Sequence, residues 1–172
     1  MKLVRVLFVC TGNTCRSPMA EALLRQKLQK AGATDRVSVS SAGISAWAGQ
    51  PASPEAASVM YRRGIPSITS HRSRQVTAAQ VAEADLVLVM TRSHQEKLQK
   101  CFADHADRIF LLSEYAGGLE DVVDPIGGPI SEYQMCADEL DHLVEAALRK
   151  ILPLAGNAGK DDETKPDILG GE

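Results

Sequence analysis

Residues 3–20, near the start of the chain, constrain the fold more than any other stretch of the sequence. Residues 4–9 form a β-branched, apolar run, which is typical of a strand buried inside a parallel sheet. Ser17 and Pro18 then predict the start of a helix, with a hydroxyl side chain as cap and a proline in the first turn. An apolar stripe with helical spacing continues to Leu28. The sequence therefore predicts a strand, a short loop, and a helix whose N-terminus faces that loop.

The loop between this strand and helix contains the residue types of an anion-binding site. Gly12 lets the backbone approach a ligand closely, and Asn13 tolerates a left-handed conformation, so successive N–H groups can converge on phosphate oxygens. The planar guanidinium of Arg16 matches two of those oxygens. Helix N-termini and nearby cations favour the thiolate form of a cysteine. We therefore expect Cys10 at the base of the loop as a nucleophile, with the Ser17 hydroxyl donating to it.

Residues 10–18 resemble the C-x5-R-S-P phosphate loop of the low-molecular-weight protein phosphatases. The Thr-Gly-Asn-Thr order inside the loop is similar to that of the bacterial protein-arginine-phosphatase branch. The resemblance covers residues 3–152 and includes the segments 41–43, 71–74, 84–91 and 124–125. The alternation of strands and helices predicts an α/β fold, a three-layer sandwich with helices on both faces of a four-stranded parallel sheet. The resemblance implies the strand order 2-1-3-4.

The rest of the chain supplies the remaining elements of that sandwich. Strands are predicted at 36–41, 85–90 and 108–112, and a helix at 93–102. Three further helices are predicted to begin at Ser53, Thr77 and Ser131, the last two with capping boxes, and the last to end at Pro153. We expect residues 1–153 to form a single domain and residues 154–172 to form a disordered acidic tail.

Composition narrows the class of protein. The chain has 172 residues and a net charge of −3, and the acidic tail accounts for that charge, so the predicted domain is neutral. It shows no basic stripe for nucleic acid and no apolar run long enough for a membrane, which favours a cytoplasmic protein and is compatible with a monomer. Four cysteines fit neither a disulfide framework nor zinc spacing. Neither a metal nor a cofactor is expected. Three histidines are expected at solvated positions: His94, His105 and His142.

The resemblance implies three catalytic residues, Cys10, Arg16 and Asp124. The thiolate of Cys10 attacks phosphorus, Arg16 binds the phosphoryl oxygens, and Asp124 acts as general acid and then general base. The proline after Asp124 keeps it out of helical conformation, so its side chain can project over the site. Asp121 is the less favoured alternative for the general acid.

The other predicted site residues bind or support the substrate. The resemblance implies that Ser41 and His71 hold the loop through Asn13. Trp47 and Ile126 are candidates for the rim of the site. The loop residues expected to contact substrate are Thr11, Gly12, Asn13, Thr14, Cys15 and Ser17.

The resemblance favours phosphoarginine in proteins as the substrate. Small, polar Thr11 is expected to admit a guanidino group, and Gly127-Gly128 also resembles the arginine-phosphatase branch. Two features weigh against this choice, and phosphotyrosine is the alternative substrate: Ile126 stands where the family usually has an aromatic residue after Asp-Pro, and Trp47 offers a rim ring that can stack on phosphotyrosine. An arsenate reductase and an anion-binding module without catalysis are less favoured alternatives.

We also expect redox control at the loop. Cys15 is five positions from Cys10, and we predict that the two form a reversible disulfide under oxidant.

Overall fold

The first strand lies inside the sheet and carries at its carboxyl end the loop that was predicted to bind an anion. The computed structural model describes residues 2–156. The four strands are β1 (Val4–Cys10), β2 (Val37–Gly43), β3 (Leu86–Val89) and β4 (Ile109–Leu111). The six α-helices are α1 (Arg16–Lys30), α2 (Pro54–Arg62), α3 (Ala78–Glu83), α4 (Arg92–Cys101), α5 (Leu112–Tyr115) and α6 (Ile130–Gly156). Two 3-10 helices span Pro66–Ser70 and Ala103–Arg108.

The sheet is fully parallel, with the order β2-β1-β3-β4. Its fold class and strand order confirm the prediction. Cys10 is paired with Gly43 on β2, and Val9 with Val89 on β3. The carboxyl ends of these three strands therefore meet around Cys10, at the edge where open α/β sheets bind their ligands.

Side chains of β1 alternate between two cores. Val4, Val6 and Phe8 pack in the larger core, which includes residues of α1, α2 and α6. Leu7 and Val9 pack in the smaller core, with residues of α3 and α4. Because both faces of the strand are covered from Val6 onward, apolar residues occupy successive positions there, and Arg5 is the one exposed residue of the strand.

The predicted starts of α2 and α3 are confirmed, because each helix is capped by the hydroxyl residue that precedes it. Ser53 caps α2 by accepting from the Ala56 N–H, and Thr77 forms a capping box with Gln80. The prediction for α1 is wrong, because this helix begins at Arg16 and its N-cap is Cys15, which makes no side-chain cap hydrogen bond.

The last helix also differs from its prediction at both ends. It begins at Ile130, so Ser131 lies inside it, and it continues through Pro153 to Gly156. A proline in the last turns of a helix removes one hydrogen bond, and burial of Ala155 in the core holds the turn that follows. The remainder of the predicted tail, residues 157–172, lies outside the described residues. No helix within residues 2–156 is long and apolar enough to cross a membrane.

Candidate active site

The loop that joins β1 to α1 is built around one residue in a left-handed conformation. Asn13 has φ 57°, and its side chain is fully buried. Its amide nitrogen donates to Ser17 Oγ at 2.8 Å and to Ser41 Oγ at 3.0 Å. Its amide oxygen accepts from the Arg74 N–H at 3.0 Å. These three hydrogen bonds hold a backbone conformation that few residues other than glycine adopt without cost.

A second layer of polar residues supports Asn13 from behind. Ser41 Oγ donates to Glu21 Oε2 at 2.8 Å, and His71 Nε2 lies 2.7 Å from the Asn13 carbonyl oxygen. His71 Nδ1 lies 3.8 Å from the same Glu21 oxygen. The structure thus brings Ser41 and His71 to Asn13 as the resemblance implied. Sequence reasoning missed Glu21, whose only signal is an acidic residue among the apolar positions of α1.

The Cys10 thiol lies at the base of the loop. The residue is 3% exposed, and its Sγ lies 2.9 Å from Ser17 Oγ in the first turn of α1. The Ser17 hydroxyl therefore stabilises the thiol from the helix end instead of capping the helix. Gly43 on β2 lets the backbone of the loop pass close to this strand, because a Cβ at position 43 would lie 2.5 Å from the Thr11 carbonyl oxygen.

Arg16 is held in a buried position with part of its guanidinium directed at the site. Its NH1 donates to the Val122 carbonyl oxygen at 2.9 Å. Its NH2 lies 3.3 Å from Asp124 Oδ2 and donates to Thr11 Oγ1 at 3.4 Å. The contact with Val122 fixes the plane of the guanidinium to the loop before α6, so the cation and the carboxylate share one site.

The two candidate acids occupy different environments. Asp124 keeps its side chain 39% exposed beside Arg16, and its Oδ1 accepts from the Ile126 N–H at 3.1 Å. Asp121 Oδ1 instead accepts from the Arg92 N–H, the first residue of α4, at 2.9 Å. The geometry therefore favours Asp124 over Asp121 as the group that can reach a bound phosphate.

His94 was expected in solvent, and that prediction is wrong. The residue is 7% exposed, and its Nε2 lies 2.8 Å from Thr11 Oγ1. Burial, reinforced by the nearby Arg16 cation, lowers the pKa of His94 from 6.5 to about 4. His94 is therefore a neutral residue next to the phosphate loop at neutral pH. His105 is half-buried and His142 is exposed.

The other loop side chains make weaker contacts. Cys15 Sγ lies 3.3 Å from Ser53 Oγ and 3.8 Å from Tyr133 OH. Thr14 is half-buried, and the contact recorded for its hydroxyl within residues 2–156 is one of 3.8 Å to Cys15 Sγ. The Thr14 hydroxyl is thus less engaged than that of Thr11.

The predicted rim residues are exposed. Trp47 is 84% exposed and Ile126 is 64% exposed. The Trp47 carbonyl oxygen accepts from the Ser73 hydroxyl, which holds the loop after β2 while the ring stays in solvent. Within residues 2–156 no group of three or more His, Cys, Asp or Glu side chains is placed to hold a metal ion.

The chain is similar to known phosphatases over most of its length. The family model described as low molecular weight phosphotyrosine protein phosphatase matches residues 5–154. A protein-arginine-phosphatase of Geobacillus stearothermophilus is 42% identical over 148 residues, which are 86% of this chain and 95% of that protein. The low molecular weight protein-tyrosine-phosphatase PtpB of Staphylococcus haemolyticus (strain JCSC1435) is 37% identical over 145 residues, 82% of this chain and 95% of that protein.

A solved structure shows the same similarity. A mutant of the YwlE arginine phosphatase with a phosphorylated active-site serine superposes with a TM-score of 0.82 at 37% identity. The match covers 87% of this chain and 96% of that chain.

Proposed function

This chain belongs to the low molecular weight phosphotyrosine protein phosphatase family, and we propose that within it the chain hydrolyses phosphoarginine in proteins through a phosphocysteine intermediate. The arrangement that supports phosphatase chemistry is Cys10 at the base of the loop, with Arg16 beside it and Asp124 within 3.3 Å of that guanidinium. The choice of arginine is supported by the Geobacillus relative, which is named a protein-arginine-phosphatase. A phosphorylated serine in the active site of the YwlE mutant supports a covalent intermediate at the position of the nucleophile.

The first step transfers the phosphoryl group to Cys10. The thiolate attacks phosphorus in line with the leaving group, the S–P bond forms, and the P–N bond to the guanidino nitrogen breaks. Asp124 gives its proton to that nitrogen, so the arginine side chain leaves with an N–H bond in place of the broken P–N bond and Asp124 is left as a carboxylate. The loop N–H groups, the end of α1 and Arg16 stabilise the charge on the three equatorial oxygens.

The second step releases phosphate and restores the enzyme. Asp124, now ionised, takes a proton from water, and the water oxygen attacks phosphorus as the P–S bond breaks. Inorganic phosphate leaves, and Cys10 returns as a thiolate beside the Ser17 hydroxyl. Because backbone dipoles and Arg16 carry the charge stabilisation in both steps, the proposed chemistry uses no metal ion.

Two loop hydroxyls, those of Thr11 and Thr14, are candidates to accept a hydrogen bond from a guanidino group. The Thr11 hydroxyl already contacts His94 and Arg16, whereas among residues 2–156 the Thr14 hydroxyl has a single contact, of 3.8 Å with Cys15. A guanidino N–H needs an acceptor, and a hydroxyl with free lone pairs supplies one. We therefore predict that Thr14, as well as Thr11, contributes to the preference for phosphoarginine over phosphotyrosine.

A protein-tyrosine phosphatase is the second candidate. The exposed Trp47 ring gives an aromatic surface at the predicted rim, and the Staphylococcus relative is named a protein-tyrosine-phosphatase. A phenolic ring stacks on such a surface, whereas a guanidino group also needs polar acceptors.

An arsenate reductase is not favoured. Cys101 is the last of the ten residues of α4, whose first turn lies beside the site, and Cys136 is buried in α6. Burial raises the pKa of Cys136 to about 12, so it stays a thiol at neutral pH and is a poor nucleophile for disulfide exchange.

The decisive experiment compares kcat/KM for a phosphoarginine peptide and a phosphotyrosine peptide of the same sequence. Wild type, Thr11→Ile and Thr14→Ile are measured, with Cys10→Ser as the inactive control. We expect wild type to prefer phosphoarginine, and at least one isoleucine variant to lose that preference by about tenfold or more. A wild-type preference for phosphotyrosine would contradict the arginine proposal and support the second candidate.

Three further expectations accompany this proposal. We infer that the protein acts in the cytoplasm, that its macromolecular partners are its phosphorylated protein substrates, and that it acts as a monomer. A monomer at micromolar concentration in sedimentation velocity supports the last of these, and a concentration-dependent dimer contradicts it.

A further inference from the structure

We propose that His94 is a positioning residue for phosphate binding, which acts through the Thr11 hydroxyl to hold the Arg16 guanidinium in place. The inference rests on the proposed function to the extent that Arg16 binds the phosphoryl group. It does not depend on whether the substrate is phosphoarginine or phosphotyrosine.

The fold brings His94 to the phosphate loop from a different strand. Thr91 follows β3 and caps α4, and its hydroxyl accepts from the His94 N–H at 3.1 Å. Since β3 is paired with β1, the first turn of α4 lies beside the end of β1. The backbone of His94 is thereby held in place. Its imidazole is buried and contacts Thr11, the residue that follows Cys10.

The contacts of Thr11 form a relay between the imidazole and the guanidinium. Arg16 can only donate, so Thr11 Oγ1 must present a lone pair to it. That contact is long, at 3.4 Å, and its strength therefore depends on the orientation of the hydroxyl. The short contact of 2.8 Å with His94 Nε2 fixes that orientation. Removal of the imidazole leaves the Thr11 side chain free to rotate away from Arg16.

The charges around His94 explain why a neutral group suits this position. The charged groups near enough to act on the pKa of the ring are Arg16 and Lys97, which lower it, and Asp121 and Asp124, which raise it. A cation here would repel the Arg16 guanidinium and compete with it for Asp124. The neutral imidazole supplies a hydrogen bond to Thr11 without adding a charge to the site.

Packing alone does not favour histidine at this position. His94 Nδ1 is buried and has no hydrogen-bond partner among the residues of the described chain. A buried polar atom without a partner is destabilising, and an apolar side chain of similar size would avoid that cost. We therefore expect His94→Leu to lose activity while it keeps or gains stability.

A double-mutant cycle between His94 and Thr11 tests the relay. The variants are His94→Leu, Thr11→Val and the double variant, with His94→Gln as the conservative change because its amide can reach Thr11. The readouts are kcat/KM for an aryl phosphate and the inhibition constant of orthovanadate, which mimics the transition state. The free energy of unfolding is measured for each variant in parallel.

We expect His94→Leu to lower kcat/KM and weaken vanadate inhibition by about tenfold, and His94→Gln to restore most of both. In the Thr11→Val background, His94→Leu should have no further effect, because the relay is already broken. An equal loss in both backgrounds, or no loss in wild type, would overturn the proposal. A wild type without aryl phosphatase activity would instead contradict the proposed function.

His105 provides a matched control. It is half-buried in the 3-10 helix Ala103–Arg108, and its Nδ1 is also without a partner within residues 2–156. His105→Leu should leave kcat/KM and vanadate inhibition unchanged. If His105→Leu reduced both as much as His94→Leu does, the effect would come from general loss of a histidine and the relay would be refuted.

Discussion

The Arg16 guanidinium lies 3.3 Å from the Asp124 carboxylate, with Arg16 4% exposed and Asp124 open to solvent. The buried partner is further fixed by its hydrogen bond to the Val122 carbonyl oxygen. A phosphate group in the loop would need the same guanidinium, so it would compete with Asp124 for it. This competition would free the carboxyl group to face the leaving atom when substrate binds.

The first prediction concerns Asp124 as general acid. Asp124→Asn should lower kcat by about 10²–10³-fold, because the departing nitrogen or oxygen then leaves without a proton. The loss should be smallest for aryl phosphates with acidic phenols, which leave readily as anions. A series of aryl phosphates measured on wild type and Asp124→Asn checks this dependence.

Asp121→Asn is the matched control for that experiment. The amide oxygen can still accept from the Arg92 N–H, so the start of α4 is kept. We expect kcat to change less than threefold. A larger loss in Asp121→Asn than in Asp124→Asn would reverse the assignment of the two acids.

The second prediction concerns the strained backbone at Asn13. Asn13→Ala should lower the free energy of unfolding by about 3 kcal/mol, because it removes three side-chain hydrogen bonds and leaves a β-carbon at positive φ. Asn13→Gly should recover about 1 kcal/mol, because glycine adopts this conformation freely. The free energies of unfolding of both variants, measured by urea denaturation, separate the loss of the hydrogen bonds from the strain of the backbone. Equal stability of the two variants would show that the backbone is not strained.

The third prediction concerns metal removal. Both proposed steps rely on the loop N–H groups and Arg16, so we expect full activity after dialysis against a chelator. Initial rates for an aryl phosphate, with and without the chelator, measure this directly. Loss of all activity that returns with a divalent cation would refute the proposed mechanism.

The fourth prediction concerns redox protection by Cys15. The Cys15 thiol contacts Ser53 and Tyr133, so a disulfide with Cys10 requires the loop to release these contacts. We expect wild type to recover with thiol reductant after peroxide, and Cys15→Ser to recover several-fold less, since its nucleophile proceeds to irreversible oxidation.

Cys101→Ser is the control for that experiment, because this exposed cysteine lies at the end of α4. It should recover as wild type does. Equal recovery of Cys15→Ser and wild type would dispose of the protective disulfide.

The fifth prediction concerns the pH dependence of stability. The pKa of His94 is about 4 in the folded protein and 6.5 ordinarily, so the unfolded chain binds the proton more readily between these values. The contribution of His94 is therefore fully present above pH 6.5 and is lost as pH falls toward 4. Relative to His94→Gln, wild type should lose about 2–3 kcal/mol between pH 7 and pH 4.5, because each pH unit between the two pKa values is worth roughly 1.4 kcal/mol.

Chemical denaturation of both proteins at pH 7, 5.5 and 4.5 measures that difference. Parallel curves for wild type and His94→Gln would show that His94 titrates normally. This experiment measures stability alone, so its result does not depend on the activities measured in the double-mutant cycle between His94 and Thr11.

Much of the fold followed from local sequence patterns. The apolar run of β1, the Ser53 and Thr77 caps and the alternation of strands and helices predicted the layers correctly, because these signals depend on near neighbours. The predicted start of α1 was wrong, since burial of the Ser17 hydroxyl against Cys10 outweighed its local preference to cap. Likewise Pro153 did not end α6, because core packing held the following turn.

The sequence by itself determined the phosphate loop, since the spacing of Cys10, Gly12 and Arg16 is a local property of one turn. Its tertiary surroundings were decided only by the structure. Local sequence does not reveal the contacts of Glu21 and His94, because each makes its hydrogen bond to a residue on another element. The pairing of the strands produces these contacts. It decides which strand ends lie side by side, and so which side chains are buried there and which residues they contact.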